Sequence, residues 1–352
     1  MKNNYLFIFL TVALGLSIYC CTPSQTSKYI NLNEILHQTN EMPYLKSLIV
    51  IQNKEILAEK YLNGGGLNKI QDIRSAAKSI LSAILGIAIK DGYIESIDQK
   101  VISFFPEYIS DDLDPRIHDL KIKHLIMMRS GLNIKETGKV YERLYASPDW
   151  IEHIIHLPFN TDPGKKFNYH SFNTHLLSAI ITKATGKSTL EYSQSTLFSP
   201  LSIRRVKWKK DPKGYCIGGW GLSMTAWDMA KFGLLYLNNG SYKGSQVIPQ
   251  EWIKASTIER TGMIGTYYSG WNKSYGYGFL WWIKRIDNGS DIPFAMGHGG
   301  QRIAILKDSN AVIVTQAEPN PKSSTSFKRH KAVDSFLFND LAPYLIGKQE
   351  KL

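Results

Sequence analysis

Residues 72–93 read DIRSAAKSILSAILGIAIKDGY, and from Ser79 onward the segment is apolar on nearly every face, broken only by Ser82 and Gly86. A helix of that composition has to be enclosed on all sides, so whatever fold the chain adopts must wrap around it. Lys90, Asp91 and Gly92 supply a charged last turn and a glycine stop. Ser75 falls in the first turn, and Lys78, at i+3, projects from the same face. First-turn amides lack partners inside the helix and the macrodipole leaves that end positive, so an oxygen anion beside Ser75 is stabilised. A lysine drawn into such a helix either pairs or gives up its proton, and an amine with a lowered pKa is a base for a neighbouring hydroxyl. A serine near a helix start and a lysine that snorkels to water would account for the same letters without any chemistry. Ser-x-x-Lys occurs once in the chain.

With 352 residues, 43% of them hydrophobic, the chain has material for one large or two intimate domains. The net charge is +12, but the basic residues are scattered, and the doublets Lys165-Lys166, Arg204-Arg205 and Lys209-Lys210 are too short for a nucleic-acid tract. They read as solvated faces, and no nucleic-acid partner is expected. Lys2 followed by an apolar run over residues 5–18 reads as a signal peptide, too short for a membrane span. Cys20 and Cys21 close that run. A cysteine there resembles a bacterial lipoprotein signal, with Cys20 or Cys21 acylated and residues 22–40 as a tether, placing the protein in the cell envelope with its membrane contact through the lipid. A plain secretory signal is the alternative. Cys216 is left alone, so no disulfide framework is implied, and a small buried side chain is its expected role.

Along the chain, residues 47–52 and 55–62 read as a hairpin, and the buried helix follows. Residues 120–132, 144–157, 173–186 and 225–240 read as helices, with Pro158 closing the second and a glycine ending the third. Residues 267–285 are strongly aromatic and end as a strand, residues 294–317 hold two more strands, and residues 327–344 form a terminal helix. Hairpins near both ends imply an antiparallel sheet, because short loops cannot join parallel strands. The expected architecture is α+β: a sheet built from both chain ends with flanking helices, plus an inserted, mainly helical lobe. The expected division is residues 41–105 and 270–345 for one lobe and 106–269 for the other, with a pocket at their junction.

Five stretches taken in order resemble the serine β-lactamase and penicillin-binding protein superfamily, in its class C-like branch of esterases, D-peptidases and 6-aminohexanoate-oligomer hydrolases. RSAAKS matches the nucleophile motif at Ser75 and Lys78, and HLIMMRSGL resembles the segment at 124–132. DPGKKFNYHS matches the segment carrying the catalytic tyrosine, at Tyr169, GWGLSMTAWDMAKFG resembles the turn and helix that follow, and GHGGQ stands at the third motif. The likeness spans roughly residues 45–345. Ser171 stands where many class C β-lactamases have asparagine, and His298-Gly299-Gly300 replaces Lys-Thr/Ser-Gly, so a fixed positive charge becomes titratable. Both departures weaken the case for β-lactam turnover.

The resemblance implies a β-lactamase-like hydrolase acting on an ester or amide through an acyl-enzyme on Ser75. The proton goes to Lys78, to Tyr169 or to the coupled pair. Backbone amides of Ser75 and Gln301 hold the oxyanion, and Ser171, His298, Gly299 and Gly300 line the substrate. A D-Ala-D-Ala-type peptidase, or a penicillin-binding envelope protein that acylates without turnover, is the competing reading. No cofactor is implied. His153 and His156, beside Glu152, have the wrong spacing for His-Glu-x-x-His and read as a solvated helix face rather than a metal site. His170 reads as a loop histidine. Tyr267, Tyr268, Trp271, Tyr275, Tyr277, Trp281 and Trp282 are candidates for an acyl-group pocket, with strand alternation sending about half to the core.

Overall fold

The computed structural model describes residues 31–135, 138–261, 275–286, 291–320 and 323–347. The expected signal segment, Cys20, Cys21, Tyr267, Tyr268 and Trp271 lie outside the described residues. A short helix α1 (Leu32–His37) leads into strands β1 (Leu45–Gln52) and β2 (Glu55–Tyr61). The two-residue turn between the strands works because Asn53 and Lys54 both take positive φ, 51° and 69°, which matches the strand twist. Strand β3 (Gln71–Asp72) then feeds a 3₁₀ turn, Arg74–Ala76, and helix α2 (Ala77–Lys90). Every side chain of α2 from Ala77 to Ala88 is buried, as its all-round apolar composition requires.

A helical middle follows, with α3 (Ile122–Ile126), α4 (Gly138–Ala146), α5 (Trp150–Ile155), α6 (Ser171–Thr185) and α7 (Thr189–Ser193). Strands β4 (Lys207–Trp208) and β5 (Leu222–Met224) join β3 in a small sheet of order β3-β5-β4. Helix α8 (Ala226–Leu237), capped by Thr225 in a reciprocal box with Asp228, is followed by the small hairpin β6 (Ser241–Tyr242) and β7 (Ser245–Gln246), and by α9 (Gln250–Ser256). The chain then returns through β8 (Tyr275–Tyr277), β9 (Trp282–Lys284), β10 (Ile292–Gly297), β11 (Gln301–Leu306) and β12 (Ala311–Ala317). It ends in α10 (Ser323–Ser335), a π-helical stretch Phe336–Leu341, and α11 (Ala342–Gly347).

The large sheet has the order β2-β1-β12-β11-β10-β9-β8 and is antiparallel throughout, so the two chain ends meet where β1 pairs with β12, Leu48 opposite Thr315. β1, β10, β11 and β12 are buried along almost their whole length. This is the α+β arrangement expected, with four local corrections. Residues 144–157 are two helices: Pro148 disfavours helical geometry in the residue before it, and the Asp149 carboxylate caps α5 by accepting from the amides of Ile151 and Glu152. The helix expected over 120–132 stops at Ile126, because Met128 turns to φ 55°. Residues 294–317 carry parts of three strands rather than two, since 298–300 and 307–310 are both turns. The terminal helix widens midway into the π-helical stretch.

Gly86 explains one of the two breaks in the apolar helix: a Cβ there would lie 2.4 Å from Cγ of Trp252, on α9. Gly86→Ala gains helix propensity worth about 1 kcal/mol but overpacks that contact, at a cost of roughly 1–3 kcal/mol. The expected net result is a lower thermal unfolding midpoint, measured by calorimetry; a midpoint above the parent's would contradict the packing argument.

Candidate functional site

Asp72 sets the geometry before Ser75. Its Oδ1 accepts from the amides of Arg74 (2.7 Å) and Gly221 (3.3 Å), and β3 is paired to β5, so the chain enters the 3₁₀ turn along a fixed path. Arg74 then takes φ 55°, an unusual conformation for a side chain of its size, and Ser75 follows at the head of α2. One turn on, Lys78 is buried, 1% exposed. Its Nζ lies 2.9 Å from Ser75 Oγ, 3.1 Å from Ser171 Oγ and 2.9 Å from the Gly219 carbonyl. The carbonyl must receive a proton, whereas either hydroxyl can donate or accept, so this cradle fits both an ammonium and a free amine.

Ser171 therefore belongs to the lysine cradle. It stands at the first position of α6, and a Cβ on Gly219 would meet its Oγ at 2.8 Å. Only glycine lets the 218–221 turn approach close enough for its carbonyl to reach Lys78. Tyr169, 4% exposed, sets its ring centroid 5.0 Å from Lys78 Nζ. The ring is braced by Tyr277 (6.0 Å, edge-on) and Trp282 (5.3 Å), which are cross-strand partners on β8 and β9. The described members of the aromatic cluster thus divide. Tyr277 and Trp282 back Tyr169, while Trp281 stacks on Phe232 in the core and Tyr275 packs on Phe294 and Phe338. All four are buried.

The third motif reaches the same place from the sheet. A Cβ on Gly297 would lie 2.2 Å from the Ile73 carbonyl, so the end of β10 presses on the turn that carries Ser75. Gln301 spends its side chain on backbone: Nε2 donates to the carbonyls of His298 and Ala317, and Oε1 accepts from the Ala317 amide and from Gln71. His298 turns its Nε2 to Ser326 Oγ at 2.6 Å, on α10. Burial lowers its pKa below the usual 6.5, the Arg74 and Arg329 guanidinium groups push the same way, and the Pro319 carbonyl opposes them.

Two features were invisible or misjudged in the letters. The Gly219 carbonyl, an acceptor for the lysine, has no side chain to announce it; the GGWG run was its only signal. His170 is not an ordinary loop histidine but the fully buried N-cap of α6, Nδ1 accepting from the Asn173 amide and Nε2 set 3.3 Å from Ser130 Oγ. Desolvation, and then the nearby Lys78 charge, push its pKa down to about 3. Among the described residues no cluster of three or more His, Cys, Asp or Glu side chains forms a metal site. His153 is half-buried, and His156 bonds the Glu152 carbonyl of its own helix. Cys216 is buried, and burial raises its thiol pKa.

The beta-lactamase family model matches residues 46–331. The chain belongs to that family. A 6-aminohexanoate-dimer hydrolase of Paenarthrobacter ureafaciens is 24% identical over 301 residues, which cover 81% of this chain and 76% of that protein. A Bacillus anthracis structure assigned as a 6-aminohexanoate-dimer hydrolase superposes with a TM-score of 0.72 at 22% identity, over 90% of this chain and 82% of that one. A penicillin-binding protein from Bacillus halodurans superposes with a TM-score of 0.66 at 17% identity, over 86% of this chain and all (100%) of that one. Family membership and hydrolase relatives make this beta-lactamase-family chain a hydrolase.

The buried His170 predicts an acid-labile fold. Its folded pKa, about 3, lies below the unfolded value near 6.5, so its contribution is complete above pH 6.5 and is lost as pH falls toward 3. At pH 5 this amounts to about 2 kcal/mol. His170→Asn keeps a capping acceptor without the titration, and urea unfolding at pH 7 and pH 5 should show the pH-dependent loss shrinking by roughly that amount. An unchanged loss would assign the acid sensitivity to other groups.

Proposed function

We propose that this hydrolase cleaves an ester or amide bond through an acyl-enzyme on Ser75. The observation that carries the reading is the buried Lys78 amine, 2.9 Å from Ser75 Oγ, with the Tyr169 ring against it. As a free amine, Lys78 donates to Gly219 O and Ser171 Oγ and accepts the Ser75 proton. Ser75 Oγ then bonds to the substrate carbonyl carbon, and the carbonyl electrons move to oxygen. The oxyanion lies at the positive start of α2, held by the amides of Ser75 and Gln301. On collapse the bond to the leaving group breaks and that group takes a proton from Lys78 or Tyr169. A water, deprotonated by the same pair, releases the acid and restores Ser75.

A Tyr169 ring face toward Lys78 favours the charged form, which returns when the proton arrives. The pair is thus a proton reservoir whose two states are both accommodated. The name of the Paenarthrobacter relative supports a linear amide as one substrate class. His298 in place of a lysine removes a permanent cation from the third motif, which argues for substrates without the carboxylate of a β-lactam.

Ser75→Ala should abolish turnover of nitrophenyl esters and short amides, and a fluorophosphonate should label Ser75 in the parent; steady hydrolysis by the variant would end the proposal. With its pKa lowered by burial, His298 protonates below the ordinary 6.5 and leaves an acid-side limb in the rate profile. As pH falls through that lowered value, kcat/KM should fall, and His298→Gln should remove the limb. Its persistence in the variant would exclude His298 as its source.

A further inference from the structure

Gly299 and Gly300 take φ of 87° and 114°, so the 298–300 turn is built from residues that lose the most freedom on ordering. Yet its carbonyls are fastened by side chains. Gln301 Nε2 donates to His298 O at 3.3 Å and Thr315 Oγ1 donates to Gly300 O at 2.7 Å. Arg302 Nη1 donates to both Gly297 O (3.2 Å) and Gln301 O (2.9 Å), bridging the two residues that flank the turn. Arg302 is itself fully buried. Its Nε donates to Asp334 Oδ1 at 2.8 Å, its Nη2 lies 2.7 Å from the same oxygen, and Nη2 also donates to His330 Nδ1 at 2.9 Å. Tyr275 donates to the second Asp334 oxygen at 3.2 Å.

Ser326, His330 and Asp334 stand four residues apart, so they form one stripe of α10. That stripe meets the turn at two levels: Ser326 holds the His298 ring, and His330 with Asp334 holds Arg302. Val333, from the same helix, would be 3.0 Å from a Cβ on Gly300, which shows how closely α10 is laid on the turn. A buried ion pair adds little net stability, because desolvation offsets the attraction. What this one does is aim a guanidinium at two backbone carbonyls.

We propose that Arg302 is a positioning residue: anchored by Asp334 and His330, it holds the Gly297 and Gln301 carbonyls and thereby fixes the His298–Gln301 turn against Ser75. The claim rests on the acyl-enzyme reading, since it is the Gln301 amide and His298 that the turn presents. A misplacement of about 1 Å in such a group costs on the order of a hundredfold in rate, and a two-glycine turn without its clamp has that much room.

The test uses the full chain in three forms: parent, Asp334→Asn, and the double variant Arg302→Met with Asp334→Leu. The double change replaces the pair by apolar side chains and is expected to stay folded. Four quantities are read on each: the thermal midpoint, kcat and KM for a nitrophenyl ester, and hydrogen exchange of the peptide containing residues 297–302. The expected result is a near-parental midpoint, kcat lowered about tenfold to a hundredfold with KM changed less than about threefold, and faster exchange in the turn but not in α2. Asp334→Asn, nearly isosteric, should show a smaller effect of the same kind, and it decides the matter if the double variant unfolds. Parental kcat in a folded variant overturns the proposal, as does unchanged exchange in the turn. Failure of the acyl-enzyme reading is separate, because the parent itself would then resist fluorophosphonate labelling at Ser75.

Discussion

The structure depends on one buried amine. Lys78 lies within a helix that has no solvent-facing side for most of its length, and its polar end is housed by acceptors from three separate parts of the chain: Ser75 on the preceding turn, Ser171 at the start of α6, and the Gly219 carbonyl. Without acceptors, burying that group would cost several kcal/mol in desolvation. With them, the same contacts draw the α2, α6 and 218–221 segments to one point. The requirement to house a lysine and the requirement to assemble a site are therefore met by the same bonds. Tyr169 follows from this, since it precedes Ser171 by two residues on the segment that must reach Lys78.

Side chains whose meaning is local were legible in the letters. The all-apolar run after Ser79 could only be an enclosed helix, and Ser75 and Lys78 one turn apart had to share its face. The hairpin at Asn53-Lys54 and the helix that begins after Thr225 are equally local, and both stand as expected. What escaped was backbone and context. A carbonyl acceptor such as Gly219 O has no letter of its own. The break at Pro148 and Asp149 was present in the letters, but apolar periodicity continued across it and masked two short helices as one. The strands of 292–317 are so uniformly buried that their turns, not their pattern, divide them.

Helix α10 is the sharpest case. Ser326, His330 and Asp334 are polar, yet they lie on its buried side, because a fully buried arginine and the imidazole of His298 wait beneath. Polarity along a helix tells which faces differ, and not which one points inward, when the neighbour is itself charged. Burial of Arg302 could be recognised only once β11 was known to be flanked on both sides by strands.

The pairing of β1 with β12 has a kinetic meaning. Leu48 waits for Thr315, a partner more than 260 residues later, before the seam between the sheet's early and late strands closes. Loop closure over that distance must be met before any contact rewards it, which makes the last strands of the chain the step on which the fold's completion turns. During synthesis the seam stays open, and the molecule travels unfinished, until β12 has left the ribosome.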